Sequence, residues 1–201
     1  MSAAAVDLAD AADLPAAVVG GKARTLGLMA VMGLPVPDGF VVPAGTADPG
    51  AVLAAEIARR GWEAVPLAVR SSAAQEDGNH ASFAGIHASC LNVVGSEAAR
   101  RATGEVTASL HSPRAAAYRQ RMGIPDGEAA MAVLVTPMVP AVAAGVGFTC
   151  EPRSGRDNLL AISAVRGLGE ALVDGSEAGE EILVAENRLD DSLSVASRTP
   201  A

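Results

Sequence analysis

The chain has 201 residues and a formal net charge of -8 at pH 7; half of its residues are hydrophobic and 2% are aromatic. A protein that binds single-stranded nucleic acid needs a basic groove and aromatic stacking platforms, so this composition argues against nucleic acid as a partner. The length suffices for one substantial core or two small lobes, and the acidic balance favours a cytoplasmic protein over one at a membrane surface.

The N-terminal part of the chain alternates between helical patterns and short apolar runs. Asp48 and Ser112 are residues of the type that caps helix N-termini, and each is followed by a proline that suits the first helical turn. We therefore predict helices over residues 22–32, 48–61, 96–110 and 112–123. Strands are predicted over residues 39–43, 67–70 and 86–94.

The C-terminal part is rich in strand patterns, over residues 131–135, 142–148, 158–165 and 181–184. Residues 129–150 carry no charge and are long enough to cross a membrane. Prolines and glycines interrupt them, however, and their valines fall in two clusters, which favours two buried strands joined by a proline turn. Residues 190–201 are polar and small, and we expect a flexible tail there. Early helices and late strands together predict a mixed α/β or α+β fold.

Neither the cysteines nor the histidines form a recognisable catalytic or metal-binding pattern. Cys90 and Cys150 lie far apart and form no CxxC pair, so we expect buried thiols in a reducing cytoplasm. His80, His87 and His111 have no metal-ligand spacing. The N-terminus contains aspartates and no basic region, so it does not resemble a signal peptide.

Gly20-Gly21-Lys22 stands directly before the first predicted helix. Main-chain N–H groups at a helix N-terminus attract anions, two glycines permit close approach, and a lysine adds a positive charge. The alternative is an ordinary loop with a solvated lysine. The segment is not a P-loop, because it lacks the earlier spaced glycine and the hydroxyl residue after lysine.

The segment LAVRSSAAQEDGNHASFAG, residues 67–85, places Arg70 at the expected end of a strand. A guanidinium can bind a phosphate through two hydrogen bonds, and the hydroxyls of Ser71 and Ser72 add donors. The small residues over 73–85 are suited to a flap. The alternative is a surface ion pair between Arg70 and the nearby acidic residues Glu76 or Asp77.

The segment RGLGE, residues 166–170, follows another predicted strand. Glu170 could contact a ribose hydroxyl, a metal ion or a phosphate. The alternative is a turn with a solvated glutamate.

Taken in order, the segments GGKARTLGLMAVMGLPVPDGFVV, LAVRSSAAQEDGNHASFAG, SPRAAAYR, AGVGFTCEPRSG and RGLGEALVDG resemble a known module. It is the ATP-binding domain of phosphoenolpyruvate synthase and pyruvate phosphate dikinase, shared with rifampin phosphotransferase and phenylphosphate synthase. The resemblance covers about Val19 to Val184. It implies an ATP-grasp-like fold over residues 1–189, with two possible lobes at about 1–130 and 131–189.

The resemblance also implies roles for individual residues. Lys22 and Arg70 match the cations that approach the phosphates of ATP, and they are the candidates for catalysis. The segment Thr136 to Val139, which includes Met138, matches the hinge beside adenine, although relatives usually have glutamine at the position of Thr136. The remaining candidate nucleotide contacts are Ser71, Gly85, Ser89 and Glu170, of which Glu170 is also a weak candidate ligand for Mg²⁺.

Two parts of the family pattern are not found in this sequence: the DIEWA-like and QSRPIT-like segments that supply the metal ligand, and the phosphohistidine domain. The resemblance therefore predicts an ATP-binding component of a dikinase-like phosphotransferase, completed by a separate chain and not active alone. The alternatives are a non-catalytic nucleotide-binding or partner-binding module, and a small stand-alone kinase that uses Glu170 for the metal.

Overall fold

A computed structural model describes residues 4–74, 77–78, 81–82, 88–123, 125, 130–187 and 192–200. The chain divides into two compact units, Met1–Val139 and Pro140–Ala201. Helices accompany antiparallel sheets, which confirms the predicted α+β class. The division falls after residue 139 rather than at 130, because the strand over residues 131–137 lies inside the sheet of the first unit.

The first unit contains a five-stranded sheet in the order β1-β2-β7-β3-β6 and a separate two-stranded ribbon of β4 and β5. Its strands are β1 Val6–Asp7, β2 Phe40–Val42, β3 Leu67–Ala73, β4 Asp77–Gly78, β5 Ala81–Ser82, β6 Ser89–Val93 and β7 Met131–Pro137. Its helices are α1 Ala16–Val19, α2 Gly21–Val31, α3 Pro49–Arg60, α4 Ser96–Ser109 and α5 Pro113–Met122, and a 3₁₀ turn covers Asp10–Asp13.

The predicted helix caps are confirmed. The side chain of Asp48 accepts a hydrogen bond from the N–H of Ala51 at 2.8 Å, at the start of α3. Ser112 accepts one from the N–H of Ala115 at 3.2 Å, at the start of α5. Both helices end at glycines in the left-handed conformation, as short helices commonly do.

Each face of the five-stranded sheet packs against its own set of helices. The face that carries Leu67, Val69 and Ser71 of β3, here called the α3 face, covers a core with α3 and α4. The opposite face carries Ala68, Arg70 and Ser72 and is called the α2 face. The α2 face has a smaller core, formed by Leu8, Ala11, Val19, Ala23, Val41, Ala132 and Leu134.

Strand β3 is longer than predicted. It continues past Arg70 to Ala73, because Ser71 and Ser72 pair with Val133 and Ala132 of β7. Both serines are buried, and Arg70 is the single exposed residue of the strand. Arg70 therefore lies in the middle of a strand and not at its end.

The second unit is a four-stranded antiparallel sheet in the order β11-β10-β9-β8 with one short helix. Its elements are β8 Ala143–Phe148, β9 Leu159–Arg166, α6 Glu170–Asp174, β10 Glu180–Asn187 and β11 Ser192–Thr199. Strand β11 differs from the tail expected over residues 190–201. It pairs with β10 along its length, and a local sequence pattern carries no signal for such a partner.

The uncharged segment 129–150 does form two strands, as expected. β7 is buried in the first unit, but β8 is an edge strand of the second unit and is mostly exposed, so the expectation that both are buried is wrong. Among the described residues, no helix is both long enough and apolar enough to cross a membrane. The cysteines also differ from expectation: Cys90 is partly buried and Cys150 is exposed.

Candidate functional site

The N-terminus of α2 docks directly on strand β3. Gly20 precedes the helix with φ at +80°, and a Cβ at this position would overlap the carbonyl and hydroxyl oxygens of Ser72. Only glycine combines this backbone conformation with so close an approach. The hydroxyl oxygen of Ser72 accepts a hydrogen bond from the N–H of Ala23 at 3.0 Å. Ser72, which lies 49 positions after Ala23 in the chain, thus caps the N-terminus of α2.

Lys22 lies in the first turn of α2, between these two contacts. Its Nζ donates a hydrogen bond to the main-chain oxygen of Ser71 at 3.2 Å. Ser71 directly follows Arg70 on β3. The fold therefore brings the ammonium group of Lys22 to the strand that carries the guanidinium of Arg70.

Arg70 lies on the α2 face of the sheet, directly opposite Ser89 of β6. Directly paired residues on antiparallel strands have Cβ atoms about 4.5–5.5 Å apart and share a face. Both side chains are exposed. Among the described side chains no carboxylate pairs with Arg70, and the side chains of its two expected partners, Glu76 and Asp77, both lie outside that description. The predicted pair of Arg70 and Ser89 is thus brought together by the strand register.

Ser71 is positioned differently from the other candidates. Its side chain alternates to the α3 face and is 1% exposed, whereas Arg70 and Ser72 share the α2 face. Its contact with the predicted site is the main-chain oxygen that accepts from Lys22. The hydroxyl that faces α2 belongs to Ser72, where it acts as an acceptor for the helix.

The segment matched to the adenine hinge begins at the end of β7. Thr136 pairs with Ala68 of β3 and so lies diagonally across from Arg70, at a separation of about 7–8 Å for such neighbours. Thr136 is 9% exposed. The N–H of Met138 donates to the oxygen of Pro66 at 2.8 Å, which leaves that N–H bonded within the protein. Val139 is exposed.

Two candidates lie outside the described part of the first unit. Gly85 lies outside the described residues, as does most of the predicted flap. Glu170 is in the second unit, where it is the exposed first residue of α6. The described residues therefore unite Lys22, Arg70 and Ser89 in the first unit, with Thr136 nearby on the same face.

Glu151, in the turn after β8, is a strongly perturbed carboxylate. Its two oxygens accept hydrogen bonds from the N–H groups of Arg153 at 2.9 Å and Ser154 at 2.7 Å. Hydrogen bonds, the first from the side chain of Ser154 and the next from the main chain of Arg153, lower the pKa of Glu151 to about 2. Its carboxylate therefore holds the turn together.

The described residues do not build a site for Mg²⁺. They contain no cluster of three or more His, Cys, Asp or Glu side chains placed to hold a metal ion. The oxygens of Glu151 are engaged by its own turn, and Glu170 offers a single exposed carboxylate. Magnesium is commonly held by one or two carboxylates together with substrate phosphates.

Sequence reasoning identified the cations but missed the parts that hold them together. From the sequence, Gly20 is expected to permit close approach of an anion and Ser72 to act as a donor, whereas the structure makes them direct partners across 52 positions of sequence. The sequence signals for this contact are the pairs Gly20-Gly21 and Ser71-Ser72. No local pattern indicates that one member of each pair meets the other.

Comparison with known proteins matches residues 51–199 to a family model described as the AMP/ATP-binding domain of pyruvate phosphate dikinase. The rifampicin phosphotransferase of Streptomyces sviceus is 47% identical over 116 residues, which cover 58% of this chain and 13% of that protein. The phosphoenolpyruvate synthase of Aeropyrum pernix is 31% identical over 224 aligned positions, which cover 86% of this chain and 27% of that protein. The chain thus spans only a minor part of the length of these relatives.

Proposed function

The chain belongs to the pyruvate phosphate dikinase AMP/ATP-binding domain family, and from this premise we propose that its first unit binds the phosphate groups of ATP through Lys22 and Arg70. The observation that carries the proposal is the hydrogen bond from the Lys22 ammonium to the main-chain oxygen of Ser71, the residue directly after Arg70. This contact brings a flexible cation and a planar cation from distant parts of the sequence to one strand.

The two cations have complementary properties for a polyphosphate. The guanidinium of Arg70 is exposed and can donate two parallel hydrogen bonds to one phosphate. The ammonium of Lys22 is a compact charge on a flexible stem, which can leave the Ser71 carbonyl for a phosphate oxygen. Ser89, opposite Arg70, adds a hydroxyl donor on the same face.

The base of the nucleotide is assigned to the segment from Thr136 to Val139. Thr136 lies diagonal to Arg70 on the α2 face, which is a suitable arrangement for a ligand that spans from base to phosphates. The smaller side chain of Thr136, where relatives usually have glutamine, offers fewer hydrogen bonds to adenine. The N–H of Met138 is bonded to Pro66, so we assign base recognition to the other main-chain groups of the segment.

Phosphoryl transfer by the chain requires parts that its described residues do not supply. Such transfer depends mainly on positioning and on stabilising charge, and it uses divalent metal ions. The longer relatives are named as phosphotransferases and synthases. We propose that further protein, supplied by a partner polypeptide, contributes the metal ligands, the phosphohistidine and the acceptor site.

Calorimetric titration of ATP, with and without Mg²⁺, tests the nucleotide site. Replacing Lys22 or Arg70 by alanine should remove a charge-assisted contact of about 1.5–3 kcal/mol, which weakens binding about 10- to 150-fold. Arg101→Ala is the matched control, because Arg101 is an arginine of the same unit whose side chain is 64% exposed and pairs with Glu97 on its own helix. It should change affinity less than about twofold.

The outcomes separate the levels of the proposal. If the wild type binds no ATP at millimolar concentration, alone or with its partner, nucleotide binding by this chain is refuted. If the wild type binds and both alanine variants bind equally well, the assignment of Lys22 and Arg70 is wrong while nucleotide binding stands.

A further inference from the structure

We infer that Gly20 and Ser72 form a joint that positions Lys22 on strand β3, so that Ser72 acts as a positioning residue for phosphate binding. The inference rests on the proposed function of Lys22. It adds Ser72, whose hydroxyl accepts a hydrogen bond from α2, to the residues that support phosphate binding. Three contacts support this inference. Two join the start of α2 to Ser72 of β3, and the third joins α2 to the segment from Leu8 to Ala12.

The first contact is steric. Because Gly20 has no Cβ, its backbone lies against the carbonyl and hydroxyl of Ser72. Any larger residue would have to push α2 away from β3, and it would also be strained at a φ of +80°. The distance between the helix start and the strand is therefore set by the absence of a side chain.

The second contact is the cap. Gly20 is the N-cap residue of α2 and has no side chain to accept from the first helical N–H groups. Ser72 supplies the acceptor instead, at 3.0 Å from the nitrogen of Ala23, and both residues are fully buried. Loss of the hydroxyl would leave this buried N–H without the acceptor that it has in the native protein, which is unfavourable.

The third contact lies further along the same face of α2, at Gly27. A Cβ on Gly27 would lie 2.5 Å from the carbonyl oxygen of Leu8 and 2.8 Å from the nitrogen of Ala12. Gly27 lies two helical turns after Gly20. The helix is thus held at close range at two points, and Lys22 lies near the first of them, between Gly20 and Ala23.

The position of the Lys22 backbone is set by contacts of the residues on either side of it. The backbone of Lys22 is fixed on one side by the Gly20 contact and on the other by the bonded N–H of Ala23. Its ammonium group then reaches the carbonyl of Ser71 at 3.2 Å. Without the hydroxyl of Ser72 the first turn of α2 loses its buried acceptor, and the ammonium loses its fixed starting point.

A double-mutant cycle tests this coupling, with ATP and adenosine as the titrants. The four proteins are the wild type, Ser72→Ala, Lys22→Ala and the double variant. Ser72→Ala should weaken ATP binding about tenfold, which corresponds to about 1.4 kcal/mol, and should change adenosine binding less than twofold. In the Lys22→Ala background the same change should cost less than twofold for ATP, because the group that it positions is gone.

Ser112→Ala is the matched control, since it removes the N-cap serine of a different helix, α5, in the same unit. It should leave ATP affinity within twofold in both backgrounds. A second measurement needs no nucleotide: hydrogen exchange at the Ala23 amide should be faster in Ser72→Ala than in the wild type, with the exchange of core strand amides in β7 unchanged.

Each outcome has a distinct meaning. If the wild type binds no ATP, the proposed function fails, and exchange at Ala23 still decides whether Ser72 holds the helix. If Lys22→Ala weakens ATP binding but Ser72→Ala does not, the inference is overturned and the proposed function stands. If Ser72→Ala costs the same with and without Lys22, or weakens adenosine equally, Ser72 has only a structural role and the inference is again overturned.

Discussion

The guanidinium of Arg60, at the end of α3, lies against two neighbouring aromatic rings, whose centroids are 6.0 Å apart. Its central carbon is 5.2 Å from the ring centroid of Phe40 and 5.1 Å from that of Trp62. The Arg60 side chain is 11% exposed and bonds Glu56 at 2.7 Å, and it also contacts Asp7 of β1. Arg60 therefore ties helix α3 to the first two strands of the sheet.

The expected effect of removing Arg60 follows from these contacts. A cation–π contact contributes about 0.5–1 kcal/mol at exposed sites and about 2 kcal/mol when it is desolvated. Because Arg60 is nearly buried and touches two rings, Arg60→Ala should lower the free energy of unfolding by about 2–4 kcal/mol. Arg60→Lys keeps the charge but loses the planar stack, so it should show an intermediate loss.

Urea unfolding followed by tryptophan fluorescence measures the effect directly, because Trp62 is the single tryptophan of the chain. Arg59→Ala is the control: Arg59 precedes Arg60 and pairs with the same Glu56, but its side chain is 63% exposed. Its removal should change the free energy of unfolding by less than about 0.5 kcal/mol. Equal losses for Arg59→Ala and Arg60→Ala would refute the reasoning that the nearly buried contacts of Arg60, with the two rings and with Asp7, stabilise the fold.

Three further predictions concern stability. The folded-state pKa of Glu151 is about 2, below its ordinary value of 4.5, so its contribution to stability is fully present above pH 4.5 and disappears as the pH falls through 2. The free energies of unfolding of the wild type and Glu151→Gln should therefore differ at pH 6 and converge near pH 2. A difference that stays constant with pH would contradict this. Ser112→Ala should cost about 1 kcal/mol in urea unfolding through loss of the α5 cap, and Ser112→Asn should restore most of it. Leu53 is fully buried in the core of the α3 face, so Leu53→Ala should cost about 2–5 kcal/mol, and a loss below 1 kcal/mol in the same assay would show that this core is loosely packed.

The parts of the fold that depend on neighbouring residues could be predicted from the sequence. Asp48 and Ser112 were recognised as caps because a cap involves residues only three positions apart. The end of β3 was not recognised, because two serines do not resemble a buried strand. They are tolerated there because β7 pairs with their main chains and α2 uses the hydroxyl of Ser72.

The same limit applies to the candidate site. Lys22 and Arg70 could be selected as cations in favourable local settings, and a family resemblance ordered them. Lys22 reaches the strand that carries Arg70 next to the contact of Gly20 with Ser72, and these positions lie far apart in sequence. Strand β11 is a second case, since its polar and small residues become a strand only through pairing with β10.

The region before the family match is an integral part of the first unit. The match begins at residue 51, yet β2 lies in the sheet between β1 and β7. The core of the α2 face combines Val19 and Ala23 from before that point with Leu134 from after it. The proposed phosphate site likewise joins Lys22, before the match, to β3 within it. Before residue 51, the positions of α2 that carry apolar side chains should therefore accept other apolar residues of similar volume. Gly20 should accept no other residue, because any side chain there would occupy the space in which Ser72 lies.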